Sequence, residues 1–141
     1  MTVDGAVRAN GGSSGSMGEG GGSGGTIYLT CAAFDGSTNG VLQADGGSGR
    51  ANPNFTGLSG GGGGGGRIAV WINVPQTLKD RYLAGLDVSV FRDGTNRFFL
   101  GTLSVSNGPG YINSPDIGAA EPGTAWFFIA RPNQGTIFLI K

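Results

Sequence analysis

The chain contains no histidine and one cysteine, Cys31, in 141 residues. An internal disulfide is therefore impossible, and imidazole-based acid–base or metal chemistry is absent from the repertoire. Charge is scarce too: nine Lys and Arg balance nine Asp and Glu, for a formal net charge of zero. Phosphate recognition needs a basic footprint, so nucleic acid is not an expected partner. Charge-driven disorder, which requires high net charge with low hydrophobicity, is not expected either. No apolar run reaches the length of a membrane span. The N-terminus, Met1-Thr2-Val3-Asp4-Gly5, has neither the basic head nor the apolar segment of a secretion signal. The chain is then cytosolic, or has lost a signal, or is a piece of a longer protein; the repeats described next favour the last two.

What the chain has in excess is glycine, 31 residues, about three times the usual share. The apolar residues fall in short dense runs between glycine-bearing stretches, as where Gly60–Gly66 leads into Arg67-Ile68-Ala69-Val70-Trp71-Ile72. Two half-units recur. The first reads Gly5-Ala6-Val7-Arg8-Ala9-Asn10-Gly11-Gly12 and returns at Gly40–Gly47 and, more loosely, at Gly101–Gly108. The second reads Gly25-Thr26-Ile27-Tyr28-Leu29 and returns at Gly66–Val70, Gly123–Phe127 and Gly135–Leu139. Within each, apolar residues alternate: Ile27 and Leu29 face one way and Tyr28 the other, as do Ile68 and Val70 against Ala69. Alternation predicts strands, and a repeated strand pair predicts stacked coils sharing one interior. The expected fold is all-β, a β-solenoid or β-helix-like repeat in a single domain. Its repeats span about 1–36, 37–74 and 98–130, with an insertion over 75–97 and a terminal strand over 135–141.

Within the insertion, Leu78, Tyr82 and Leu83 are spaced for one or two helical turns over 76–84. Residues 86–105 alternate on both sides of Arg92-Asp93-Gly94-Thr95-Asn96, which predicts a β-hairpin whose second arm becomes the third copy of the first half-unit. The polar connections 13–24, 48–65 and 109–122 occupy equivalent places in each repeat. Glycine is costly in a regular element, by about 0.5–1 kcal/mol relative to alanine. These connections are either flexible linkers or packed legs resembling polyglycine II, in which the missing side chains let neighbouring backbones hydrogen-bond.

The runs Gly21–Leu29, Gly40–Gly49 and Gly60–Val70 resemble the glycine-rich β-solenoid repeats of large bacterial extracellular and surface proteins. They are more loosely similar to the glycine-rich domains of anaplastic-lymphoma-kinase-type receptors and to glycine-rich antifreeze proteins. The resemblance implies an extracellular or cell-surface setting and a solenoid-like fold, and it transfers no functional residue.

Each candidate site has a plain structural alternative. Cys31, at a strand end, reads as a small buried residue rather than a reactive thiol. The pairs Asp4-Gly5, Asp35-Gly36, Asp45-Gly46 and Asp93-Gly94 read as turns rather than calcium ligands, since no Asp-x-Asp cluster occurs. Asn54-Phe55-Thr56 fits a glycosylation acceptor only weakly. The run Gly60–Gly66 lacks the Lys-Ser/Thr of a phosphate loop. Arg67 is expected exposed beside the glycine legs. Among the aromatics, Trp126 is expected in the core, whereas Trp71 and Tyr111 are the candidate glycan contacts. No paired carboxylates share a strand, so no enzyme activity, cofactor or metal is expected. Solenoid ends are normally capped, and neither end here carries a polar cap. The expected partners are therefore flanking repeats or other copies of the chain, joined head to tail through Val3 and Val7 at one end and Thr136, Ile137, Phe138, Leu139 and Ile140 at the other. The leading functional expectation is an extracellular, self-associating structural subunit of a filament or surface layer. The alternatives are an adhesin or glycan-binding module and an ice-binding protein.

Overall fold

A computed structural model describes residues 1–54, 59–86, 90–93, 99–111 and 120–130. Its strands are β1 (Thr2–Val3), β2 (Ala6–Arg8), β3 (Thr26–Cys31), β4 (Asp35–Gly36), β5 (Val41–Gln43) and β6 (Arg67–Ile72). One helix, α1 (Gln76–Leu83), precedes β7 (Val90–Asp93), β8 (Thr102–Ser104) and β9 (Thr124–Ala130). The chain is thus strand-rich with one short helix.

The recurring half-units pair with their own copies. Copies of the first form a parallel sheet in the order β2-β5-β8, with Val7, Leu42 and Leu103 in line. Copies of the second form the parallel run β3-β6-β9, with Ile27 opposite Ile68 and Leu29 opposite Val70 and Phe127. A short ladder, β1-β4, extends through a bridge from Gly36 to Phe99. Neither large sheet closes on itself. Alternation decides what each face buries: Ile27, Leu42, Ile68, Val70 and Phe127 meet in one interior, with Phe34 and Phe99 filling one end. Ring centroids there lie 5.8 Å (Phe34–Phe99) and 5.9 Å (Phe34–Phe127) apart.

The glycine connections are packed. Gly60, Gly63 and Gly66 donate their N–H groups to the carbonyls of Arg50, Gly47 and Ala44 at 3.0, 2.9 and 2.7 Å. Gly21 and Gly24 donate to Gly61 and Gly64, at 2.9 and 2.8 Å. Donors recur every third residue, so each leg turns successive amides towards different neighbours, the periodicity of a three-fold extended helix. Close approach requires glycine at the centre: a methyl group on Gly47 would overlap the carbonyl of Gly12, and one on Gly63 that of Gly22. Of the two readings of these connections, the flexible linker is not what the structure contains where they are described.

The hairpin expected over 86–105 turns on residues 87–89 and 94–98, which lie outside the described set; among the described residues β7 pairs antiparallel with β9, and β8 continues the first sheet as the third copy of the first half-unit. The physical reason is the outer face of β9. Pairing β7 there buries Val90 beside Trp71 and Phe128 in a second apolar cluster, against which Leu78 and Tyr82 of α1 also pack. The helical turns expected over 76–84 are α1. The fourth copy of the second half-unit, 135–139, and the Asn54-Phe55-Thr56 triplet fall wholly or partly outside the described residues. No described helix is long and apolar enough to cross a membrane.

Candidate functional site

Strands β3, β6 and β9 turn one face outward, and register aligns its residues in rows. The first row is Thr26, Arg67 and Thr124; the second is Tyr28, Ala69 and Trp126; the third is Thr30, Trp71 and Phe128. Neighbouring strands lie about 4.8 Å apart, so Tyr28 and Trp126 stand about 10 Å apart across the small side chain of Ala69. The result is an open cleft of about 480 Å³, floored by Ala69, walled by Tyr28 and Trp126, and ended by Trp71, Phe128 and Leu83 of α1. At the other end it passes the polar row Thr26–Arg67–Thr124 onto a shelf of Gly24, Gly25, Gly65, Gly66 and Gly123, which adds about 330 Å³.

Cations surround the cleft. Arg92 of β7 lays its guanidinium over the Trp126 ring, 4.1 Å from the centroid. β7 flanks β9 on the side away from β6, so the other ring face is turned towards Ala69. Lys79 of α1 is only 6% exposed. Its ammonium donates to Thr30 Oγ1 at 3.3 Å and lies 4.4 Å from the centroid of Tyr28 and 5.3 Å from that of Trp71. Arg67 is exposed at the mouth, between the two threonines. None of the described residues lining the cleft is acidic.

Trp71, expected as a glycan contact, lines the inner end of the cleft but is 1% exposed and stacks on Phe128 with centroids 4.1 Å apart, so it offers a ligand little surface. Its indole N–H is buried without an acceptor among the described residues. Trp126, expected in the core, is half-buried: it packs against the second apolar cluster and also walls the cleft. The exchange follows from position: Trp71 and Phe128 share the row that α1 covers, whereas Trp126 lies one row nearer the strand starts. Tyr111 is 46% exposed, but it sits at the far end of a glycine leg, where its N–H donates to Gly60 at 3.3 Å. About 35 Å of extended chain separates Gly60 from Trp71, so the two expected glycan contacts do not form one site. Arg67 is exposed, as read from its place among the second half-units. The signal that locates the cleft lies in the same alignment: Tyr28, Ala69 and Trp126 hold equivalent positions, an aromatic, a small residue and an aromatic.

The self-association residues fare differently. Val3 is 5% exposed and packs in the interior, so it is corrected as a subunit contact: Phe99 and the β1–β4 ladder place it under its own chain. Val7 is half-buried on β2 and leans on the same interior. Thr136, Ile137, Phe138, Leu139 and Ile140 lie outside the described residues.

Other chemistry is sparse. Cys31 is half-buried; burial pushes its thiol up, against a smaller pull from the N-terminal ammonium. The Sγ is 3.9 Å from the Trp71 carbonyl. Among the described residues, no group of three or more His, Cys, Asp or Glu side chains is placed to hold a metal ion. Comparison with family models, with curated proteins and with solved structures returns no match.

Proposed function

We propose that this protein is a glycan-binding module of an extracellular or cell-surface kind, carried on a β-solenoid whose legs pack like polyglycine II. The observation that carries the reading is the Tyr28–Ala69–Trp126 row on a three-strand face. Two aromatic walls over a small floor, on a backbone already bonded in the sheet, make a rigid platform for the C–H face of a sugar ring. Threonine hydroxyls and a guanidinium at the mouth offer hydrogen bonds to ring hydroxyls, and the glycine shelf gives a longer saccharide room to continue. The test is glycan-array binding followed by calorimetry on the intact chain. Trp126→Ala is expected to weaken binding by about tenfold or more, in line with the loss of a central aromatic anchor. Unchanged affinity in that variant would remove the reading.

A second reading, a self-associating subunit of a filament or surface layer, is supported by the first coil. Among the described residues, β2 and β3 each have a neighbour in the large sheets on one side only, and an open strand edge is a template for another chain. It ranks second because antiparallel β7 occupies the edge of β9 where a further parallel coil would pair.

A further inference from the structure

We infer that the cleft selects an acidic saccharide, one whose sugar ring carries a carboxylate. This rests on the glycan reading above and names the ligand class of the same site. Arg67, Lys79 and Arg92 all stand at or behind its walls, and among the described residues no acidic side chain lines it. Lys79 is the informative member. Among the described residues its nearly buried ammonium meets a threonine oxygen and two ring faces and no carboxylate, and in a poorly solvated site a cation's field acts over several ångströms.

The three cations have different tasks. Arg92 is committed to the outer face of Trp126, where it makes that wall positive. Lys79 does the same behind Tyr28 and Trp71. Arg67, exposed between Thr26 and Thr124, is the group able to reach the ligand, and a guanidinium matches a carboxylate with two parallel hydrogen bonds. A ring seated over Ala69 between the aromatic walls would present a substituent to Arg67 at the mouth. A cationic ligand is disfavoured by the same charges.

An acidic peptide fits less well. An extended peptide gains affinity from backbone pairing along a sheet edge. The floor here is a sheet face, and the backbone of β6 is already paired on both sides, to β3 and β9.

The experiment uses the full chain and calorimetric titration with short fragments of hyaluronan, alginate and polygalacturonate. Each fragment is paired with the same material after chemical reduction of its carboxylates to alcohols. The expected result is that at least one fragment binds, and that reduction weakens it by about tenfold, the scale of one charge-assisted contact. Arg67→Gln should abolish that difference, bringing the acidic fragment's affinity down to that of its reduced counterpart in the same variant. Arg8→Gln, an exposed arginine on β2 away from the cleft, should preserve it. Equal binding of acidic and reduced fragments overturns the acidic preference and leaves the glycan reading standing. So does an equal effect of the Arg67 and Arg8 variants, which would mark diffuse charge attraction. Poly-glutamate binding as tightly as the best fragment, and competing with it, assigns the cleft to acidic peptides and overturns the proposal. No binding by any fragment, acidic or reduced, overturns both readings. Matching melting temperatures for Arg67→Gln and the parent chain keep the comparison free of folding effects.

Discussion

Gly47 and Gly63 show how much can depend on a missing side chain. Gly47 donates to Gly22 at 2.8 Å and accepts from Gly63 at 2.9 Å, while its α-carbon faces the carbonyl of Gly12. No larger residue fits without parting two backbones. Gly63→Ala is therefore expected to destabilise the protein by about 3 kcal/mol, the upper range for overpacking a tight interior. Gly12 is the contrast. A methyl group there meets nothing within 4 Å, so Gly12→Ala should be neutral or stabilising by a few tenths up to about 1 kcal/mol through the unfolded chain. Paired thermal melts of the two variants check this, and similar melting temperatures would contradict the packed-leg account. At this scale the sequence was a good guide to exposure at Arg67 and a poor one at Trp71 and Trp126. Both tryptophans sit in dense apolar runs, and nothing local says which row a helix from the insertion will cover.

Between elements, successive repeats are joined by a side-chain ladder as well as by strand pairing. Asn10 Oδ1 accepts the Asp45 N–H at 2.9 Å, and Asp45 Oδ1 accepts the Ser106 N–H at 2.7 Å, so each repeat's side chain holds the next repeat's backbone at the same place. Asp45 also accepts from the Ser104 hydroxyl at 2.6 Å and from the Gln43 amide. Burial pushes the Asp45 carboxyl up, but these hydrogen bonds outweigh it and hold it below its ordinary value. A carboxyl depressed on folding adds stability that is present above its unfolded pKa and lost as pH falls through the folded one. The melting temperature should accordingly fall between about pH 5 and about pH 2, with part of the fall removed in Asp45→Asn. Asparagine keeps an acceptor for Ser106, as Asn10 does one repeat earlier. An identical acid profile in the variant would show that Asp45 is not a contributor. The four turn-reading Asp-Gly pairs hid this role, since the ladder needs a partner outside the repeat. The pairing of β7 with β9 was not legible for a related reason: alternation shows that residues form a strand but not which edge receives them.

For the whole molecule, the open side of the first repeat sets the strongest expectation about assembly. The carbonyl of Gly5 and the N–H of Ala9 are spent on β5, so strand alternation turns the groups of Ala6 and Arg8 outward. If that edge recruits another copy, sedimentation velocity should show species that grow with concentration. Ala6→Pro, which deletes an outward N–H, should return them to monomer. A monomer at every concentration would retire the filament reading while leaving the cleft untouched.

Composition and alternation alone determined that the chain is strand-rich, which half-units pair with which, and which faces carry Ile27, Ile68 and Val70. Those properties depend on a period of two and on glycine spacing, both local in the chain. Only the tertiary structure decided that β7 lies against β9, that α1 buries Trp71 and spares Trp126, and that three cations from separate elements gather at one cleft. Such choices compare the free energies of competing long-range contacts, and residues far apart along the chain carry no mark of which contact prevails.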